Sequence, residues 1–216
     1  MGIPVRMPKI EPFEMYADKY EEWFERNKFV YESELRAIRK LLPEKGEGIE
    51  IGIGSARFSA PLGIKAGIEP SSKMGEIARD RGLEVVKGVA ETLPFADSKF
   101  DFALMVTTIC FLDNLKAAFR EASRILKPGG CLVIGFIDKD SPIGKLYQQH
   151  KEDSVFYKLA DFYSVEEVIS HLKRAGFKDF NFTQTIFHNL AEIREVERIK
   201  EGYGEGSFVV IKAVKV

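Results

Sequence analysis

The sequence predicts an α/β fold with a doubly wound, mostly parallel sheet. Short apolar runs alternate with helix-like segments along the chain, and those runs are continuously apolar, as in strands that are covered on both faces. The composition agrees, since 216 residues with 45% hydrophobic and 30% charged content can bury one sizeable core. We therefore expect one structural domain.

The N-terminal region predicts helices that cover this core. Apolar residues recur at three- and four-residue steps from Tyr16 to Leu42, as in one amphipathic helix or a pair, and Pro43 and Gly46 end the pattern. We expect residues 1–46 to form a helical cap or lid and residues 47–216 to form the core.

The same region bears on the expected location of the chain. Residues 1–14 lack the apolar stretch of a signal peptide, and no window has the roughly 18 apolar residues that span a bilayer. Cys110 and Cys131 have no metal-ligand spacing, and we expect neither a disulfide framework nor a structural zinc site. A cytoplasmic protein without membrane association is expected.

The core is expected to contain seven strands. Five apolar runs bounded by turn residues predict parallel strands at 48–53, 64–68, 83–87, 100–107 and 131–137. Residues 127–130, Lys-Pro-Gly-Gly, predict the turn into the fifth strand, and residues 139–163 predict an irregular cap insertion. Two last strands, 180–187 and 208–216, are expected to close the sheet edge as an antiparallel pair.

Capping residues predict where the helices between these strands begin. One helix is expected after Ser71 or Ser72, and another after Asp113 or Asn114. Residues 164–167, Ser-Val-Glu-Glu, form a capping-box pattern that opens a third helix, which ends at residues 175–176, Ala-Gly.

The first strand runs into a glycine-rich turn, Glu50-Ile51-Gly52-Ile53-Gly54-Ser55-Ala56-Arg57. Doubly wound sheets bind ligands at the carboxyl ends of their strands, where glycines let a ligand approach free backbone N–H groups. A nicotinamide-binding G-x-G-x-x-G pattern would need glycine at Arg57, which disfavours an NAD-dependent oxidoreductase. Taken alone, the two glycines also fit a tight turn that binds nothing.

The second strand ends in an acid, within Gly67-Ile68-Glu69-Pro70. A carboxylate at the tip of the strand beside the glycine turn can accept hydrogen bonds from both hydroxyls of a ribose. The alternative is a solvated charge at the end of a strand.

In this order and spacing, the segments resemble the class I S-adenosylmethionine-dependent methyltransferases, which have a seven-stranded Rossmann-like sheet. The glycine turn is similar to the first motif of that family, and residues 67–71 with Met74 are similar to its second. Residues 88–95 followed by residues 100–101 resemble the segment that borders the adenine, and residues 124–130 resemble the turn before the fifth strand. The resemblance covers nearly the whole chain and implies S-adenosyl-L-methionine as cofactor and S-adenosyl-L-homocysteine as product.

The resemblance also implies the site residues. The cofactor-binding candidates are Glu50, Gly52, Gly54, Ser55, Glu69, Pro70, Met74, Ala90, Glu91 and Thr107. The acceptor-binding candidates are Tyr16, Tyr20, Trp23, Thr108, Phe111 and Tyr147, although an aromatic stripe on the N-terminal helix also fits simple packing on the core.

Two positions depart from the family pattern. Ala56 stands where the first motif has its third glycine, so we expect the backbone there to use a positive φ less freely. Val89 stands where the family often has an aspartate that contacts the adenine amino group, so that contact is expected from Glu91, backbone or water.

The implied reaction is an in-line attack of an acceptor atom on the sulfonium methyl group. Alignment can contribute ~7–11 kcal/mol to such a step, and a general base is needed only when the acceptor is protonated. Among the 3 histidines, only His150 lies in the predicted cap, which makes it a weak candidate base. No other catalytic side chain is predicted.

Composition and motifs narrow the acceptor to a small molecule. A formal net charge of -1, with basic and acidic residues interspersed, offers no surface for nucleic acid. Residues 107–110, Thr-Thr-Ile-Cys, stand where an N-P-P-Y-like tetrad would indicate methylation of base or glutamine amino groups. No metal site is expected, because no His and carboxylate cluster has ligand spacing. The alternative functions are a non-catalytic S-adenosylmethionine-binding regulator and an NAD-dependent oxidoreductase.

Overall fold

The computed structural model describes residues 9–216, in which a mixed sheet carries helices on both faces. Residues 1–8, which belong to the expected lid and to the segment expected to lack a signal peptide, lie outside this range. The strands are β1 (Gly48–Ile51), β2 (Ala66–Glu69), β3 (Glu84–Lys87), β4 (Phe100–Val106), β5 (Leu126–Ile137), β6 (Phe177–Thr185), β7 (Lys200–Glu201) and β8 (Phe208–Lys215).

The sheet has the order β3-β2-β1-β4-β5-β8-β6-β7. Strands β1 to β5 pair in parallel, and β8 lies antiparallel between β5 and β6. The mostly parallel α/β fold is thus confirmed, with its antiparallel pair at the predicted edge. The exposed two-residue strand β7 was not predicted, because a pair of charged residues carries no strand pattern.

The helices are α1 (Glu11–Met15), α2 (Ala17–Arg26), α3 (Lys28–Leu41), α4 (Ser59–Leu62), α5 (Ser72–Asp80), α6 (Leu115–Ile125), α7 (Pro142–Gln149) and α8 (Val165–Arg174). Side chains of Ser71, Asn114 and Ser164 cap α5, α6 and α8, and Ser164 forms the predicted capping box with Glu167. The N-terminal pattern corresponds to the pair α2 and α3, which break at Asn27. No helix within residues 9–216 is long and apolar enough to cross a membrane.

The turn predicted at residues 127–130 is part of β5 instead. Helix α6 ends at Ile125 and β5 begins at Leu126, so no separate loop joins them. Leu126 pairs with Phe100 on β4, and Lys127 Nζ lies 2.8 Å from Asp101 Oδ1. These contacts hold the Lys-Pro-Gly-Gly segment along the neighbouring strand.

The predicted irregular cap contains a regular helix, α7, so that part of the prediction was wrong. Ser141 Oγ accepts a hydrogen bond from Gly144 N at 3.0 Å, and Pro142 occupies the first turn, where its missing N–H costs nothing. A Cβ at Gly144 would lie 2.0 Å from the carbonyl oxygen of Asp138. Gly144 is therefore required for α7 to dock on the end of β5.

We predict that Gly144→Ala displaces α7 and lowers the melting temperature, because the clash is with backbone that has no room to move. Gly75→Ala is the matched control, since Gly75 is also helical and its added Cβ would meet side chains no nearer than 3.5 Å. Thermal unfolding should show that Gly144→Ala lowers the free energy of unfolding by about 1–3 kcal/mol, the usual cost of overpacking, and that Gly75→Ala does not lower it. Equal stability of the two variants would contradict the docking described here.

Candidate functional site

A cavity of about 1110 Å³ opens at the carboxyl ends of β1, β2, β4 and β5. Glu69, Met74 and Ala90 line one end, and Ile137 and Tyr147 line the other. Ligand pockets usually have volumes of ~300–1,000 Å³, so the cavity can hold a nucleoside-sized molecule and a second small one.

The glycine turn forms part of the cavity wall. Gly52 has φ 75 and Gly54 has φ 54, so both occupy the left-handed region that favours glycine. A Cβ at Gly52 would lie 2.5 Å from Thr108 Cγ2, whereas a Cβ at Gly54 would meet nothing within 3.5 Å and only Met74 Cε and Tyr20 Oη at 3.6 Å. Gly52 therefore serves packing against the tip of β4, and Gly54 leaves the cavity wall open to a ligand.

Ala56 adopts the same left-handed conformation, with φ 64, despite its Cβ. For a residue other than glycine this costs about 1–2 kcal/mol. The turn thus keeps a positive φ at this position although alanine adopts it less freely than glycine, and Ala56 is strained as a result. Its side chain is fully buried.

Glu69 lies at the tip of β2 with its carboxylate in the cavity. Its Oε2 accepts a hydrogen bond from Gly54 N and its Oε1 accepts one from Ser71 N, each at 2.9 Å. Burial raises the pKa of Glu69 to about 7, and the Glu14 carboxylate adds to the shift. Because each carboxylate oxygen has a second lone pair, the group can still accept two hydrogen bonds from a ligand.

The N-terminal helices close over this end of the cavity. The Phe13 ring packs edge-on against Phe111, with 5.0 Å between the centroids, and the Glu14 carboxylate accepts hydrogen bonds from the N–H groups of Ser72 and Lys73. Helix α1 therefore bridges the start of α5 and the loop after β4. Tyr16, a predicted acceptor residue, lies between α1 and α2 and does not line the cavity.

Helix α2 is tied to the glycine turn by ion pairs. Arg57, the residue that replaces the glycine of a nicotinamide motif, lies 2.6 Å from Glu21 and 2.9 Å from Glu25, and Arg81 pairs with the same Glu21. Arg57 also lies over the ring of Phe24 at 5.2 Å. Arg57, whose place in the glycine turn disfavours a nicotinamide cofactor, thus ties α2 to the core.

The other predicted acceptor residues do line the cavity. These are Tyr20, Trp23, Thr108, Phe111 and Tyr147. The Tyr147 and Tyr157 rings stack with 4.5 Å between centroids, and burial raises the pKa of Tyr147 to about 12. Thr107, at φ 49, turns the chain sharply at the end of β4 and donates its N–H to the Gly135 carbonyl at 2.8 Å. This end of the cavity is therefore an aromatic chamber.

Comparison with known proteins identifies the family. Residues 49–134 match the methyltransferase domain family. A crystal structure from Thermotoga maritima, described as a "SAM-dependent methyltransferase, possible histamine N-methyltransferase", superposes with a TM-score of 0.94 at 51% identity, over 96% of this chain and 100% of that one. This chain belongs to the S-adenosylmethionine-dependent methyltransferases.

Two further relatives of this methyltransferase are known by sequence. An uncharacterized protein of Methanocaldococcus jannaschii is 47% identical over 94% of this chain and 98% of its own length. A demethylmenaquinone methyltransferase of Tropheryma whipplei is 28% identical over 67% of this chain and 72% of its own length. The family uses S-adenosylmethionine as its cofactor, and the Glu69 carboxylate at the tip of β2, which can accept two further hydrogen bonds, fits the ribose of a nucleoside at that end of the cavity.

Glu50 and Ser55 of the methyltransferase do not line the cavity, although both were predicted to bind the cofactor. Glu50 is buried beneath the turn and accepts a hydrogen bond from Ser59 Oγ, and burial raises its pKa to about 8. Ser55 Oγ is buried and has no hydrogen-bond partner among residues 9–216. The Glu50 side chain therefore ties the end of β1 to the start of α4.

We predict that the buried Glu50 makes the methyltransferase less stable as the pH rises. Its pKa is higher in the folded chain than in the unfolded chain, so its stabilising effect is complete below about pH 4.5 and is lost as the pH rises through about 8. Free energies of unfolding measured between about pH 5 and 9 should fall for the wild-type chain and fall less for Glu50→Gln. Parallel profiles would show that Glu50 does not hold its proton.

Glu91 lines the cavity, but its Oε1 is occupied by the N–H groups of Asp113 at 2.9 Å and Asn114 at 3.2 Å. The carboxylate thus satisfies backbone donors at the start of α6, next to the Asn114 cap. The predicted site residues Pro70, Met74 and Ala90 lie around the same end of the cavity.

His150 and Cys110 have no arrangement that would make either a strong catalytic group. His150 ends α7 at the cavity rim with 65% of its side chain exposed, 3.4 Å from Asp153. Burial raises the pKa of the Cys110 thiol to about 12, which disfavours a nucleophilic thiolate. Among residues 9–216, no group of three or more His, Cys, Asp or Glu side chains is placed to hold a metal ion.

Glu34, a buried carboxylate in the cavity wall, was not predicted from the sequence. It lies on α3 one helical turn from both Val30 and Ile38, which are buried. A charged residue on the apolar face of a predicted amphipathic helix was the available signal.

Proposed function

We propose that this protein transfers the methyl group of S-adenosylmethionine to a small-molecule acceptor. The observation that carries the proposal is one continuous cavity with two different ends: Glu69 and Gly54 at one, and an aromatic chamber around Tyr147 at the other. Such an arrangement suits two ligands that must meet in line. Catalysis then depends mainly on alignment and on exclusion of water by α1 and α2.

Under this proposal, the cofactor binds across the tips of β1 and β2. Glu69 accepts hydrogen bonds from the ribose hydroxyls, and the open wall at Gly54 receives the methionine portion. Residues that border the base are Pro70, Met74, Val89, Ala90 and Glu91. The bound cofactor supplies an electrophilic methyl group on a sulfonium.

The acceptor binds at the β4 and β5 end. The strained Thr107 and its neighbour Thr108 lie between the two ends, where the loop after β4 limits the approach to the methyl group. Tyr20, Trp23, Phe111 and Tyr147 enclose the acceptor. We expect the cap of residues 1–46 to belong to one domain with the core, and its helices α1 to α3 to enclose the chamber. Among residues 9–216 the thiols of Cys110 and Cys131 have no disulfide partner, which suits a reducing cytoplasm.

The test is a turnover assay. Purified protein is incubated with S-adenosylmethionine and a panel of acceptors that includes histamine and a demethylmenaquinone analogue, the acceptor chemistries that the names of its relatives suggest, and S-adenosylhomocysteine formation is measured. Acceptor-dependent product supports the proposal. Tight cofactor binding without turnover for any acceptor would indicate a regulator, and binding of NAD(H) instead would indicate an oxidoreductase.

A further inference from the structure

Glu34 is a buried acid that the fold itself does not use. Its side chain lines the cavity, the residue is 5% exposed, and burial alone raises its pKa to about 8. Within residues 9–216, no donor reaches its carboxylate, and no lysine or arginine offsets the cost of its burial. Buried acids are ordinarily paired, because an isolated charge is expensive to remove from water.

The groups that face Glu34 are aromatic and uncharged. The titratable ones are the hydroxyls of Tyr20 on α2, Tyr147 on α7 and Tyr157 in the segment after α7. Burial is the main cause of the raised pKa of each, and the Glu34 charge adds to it. At Tyr20 the charges of Glu50, Glu69 and Glu21 add more than that of Glu34. The lysines of the cavity wall are engaged elsewhere: Lys9 lies 2.6 Å from Asp161, and Lys19 lies over the ring of Tyr16. None of the residues 9–216 therefore supplies a cation to Glu34, and a bound ligand can supply one.

Glu34 lies beside the tyrosines of the aromatic chamber. Helix α3 packs against β5, β6 and β8, whereas Glu69 ends β2. Besides burial, Glu34 is the charged group that raises the pKa of Tyr147, and the Tyr147 ring stacks on Tyr157 in the aromatic chamber. The free carboxylate thus belongs to the acceptor chamber.

We infer that Glu34 binds a protonated amine of the methyl acceptor, and that the acceptor class is a small aromatic or apolar amine. The inference rests on the proposed function. An ammonium group would give the carboxylate its missing counter-charge, and the surrounding ring faces would attract the same cation. A neutral acceptor such as a phenol has no positive charge to pair with the carboxylate, so Glu34 would stay protonated and would not favour its binding.

The test compares amines with alcohols of the same shape. Protein saturated with S-adenosylhomocysteine is titrated with 2-phenylethylamine and 2-phenylethanol, and with tryptamine and tryptophol. Wild-type protein should bind each amine about 10-fold to 100-fold more tightly than its alcohol. Glu34→Gln should lose this preference and keep its affinity for the alcohols, whereas Glu32→Gln, on the exposed face of the same helix, should behave as wild type.

A proton count distinguishes direct binding from a structural effect. At about pH 7 the free Glu34 carboxyl carries a proton, which an ammonium partner would displace, since Glu34 ionises with a pKa of about 8 in the free protein. Calorimetry in buffers of different ionisation enthalpy should therefore show about one proton released per amine bound. No release is expected for the alcohols, for Glu34→Gln, or above about pH 9.

Two results would overturn the inference. One is wild-type protein that binds neither amine more tightly than its matching alcohol, and the other is Glu34→Gln protein that still binds the amines more tightly. The control is the affinity for S-adenosylhomocysteine, which should be equal in wild-type and Glu34→Gln protein. Failure of wild-type protein to bind S-adenosylhomocysteine would instead overturn the proposed function, and the amine assignment with it.

Discussion

Replacing Glu69 with glutamine should weaken binding of S-adenosylhomocysteine by about 100-fold or more. Both carboxylate oxygens already accept backbone hydrogen bonds, from Gly54 N and from Ser71 N. A glutamine amide has only one oxygen, so in either orientation its NH₂ group faces a backbone N–H. The variant thus loses an acceptor for the ribose and leaves a buried donor unsatisfied.

Calorimetric titration with S-adenosylhomocysteine, S-adenosylmethionine and NAD(H) measures this effect. Glu76→Gln serves as the control, because Glu76 is an exposed acid on α5 close to the same site. Wild-type and Glu76→Gln protein should bind the first two ligands alike and leave NAD(H) unbound. Unchanged affinity in Glu69→Gln would contradict the placement of the cofactor at the tip of β2.

Gly52→Ala should abolish detectable cofactor binding and turnover while the rest of the fold persists. The new methyl group would lie 2.5 Å from Thr108 Cγ2 and 2.7 Å from Thr108 Oγ1, so the glycine turn and the tip of β4 must separate. The short, branched side chain of Thr108 has no flexible end that could move aside. Two parts of the cavity wall would shift together.

Gly63→Ala separates this clash from the cost of backbone conformation. Gly63 has φ 78, close to the φ 75 of Gly52, but an added Cβ would meet nothing within 4 Å. Both variants should lose stability to the left-handed backbone, by about 1 kcal/mol, and only Gly52→Ala should lose ligand binding. The double variant Gly52→Ala/Thr108→Ala should recover part of the binding. Equal binding by the two single variants would falsify the steric account.

The parts of the fold that the sequence predicts well are those with local signals. The capping box at Ser164 and the alternation of apolar runs with helices are encoded by neighbouring residues, and both are confirmed. Helix α7 was missed because its stability depends on Gly144 packing against the Asp138 carbonyl, a contact with no sequence period. Strand β7 was not predicted because its two exposed, charged residues carry no strand pattern, and only their pairing with β6 makes them a strand.

The candidate site divides in the same way. The position of Glu69 follows from strand order, since the ends of adjacent parallel strands meet at one edge. The position of Glu50 also follows from its strand, but the alternation of side chains along β1 turns it away from the cavity, as its bond to Ser59 shows. The role of Glu34 could not be predicted from the sequence, because it depends on the packing of α3 against the sheet. That packing buries the carboxylate without a hydrogen-bond donor or a cation from residues 9–216 beside it.

The two lid helices are held to the core by contacts of very different strength, and this sets an order of events. Helix α2 is fixed by Arg57 and Arg81, both partly buried against Glu21, whereas α1 is held mainly by Glu14 at the exposed start of α5 and by the packing of Phe13. Helix α1 therefore opens at lower free energy than α2. Because Glu14 lies over the Glu69 end and Phe13 packs on Phe111 of the aromatic chamber, we expect the opening of α1 to give both ligands access to the cavity while α2 stays in place.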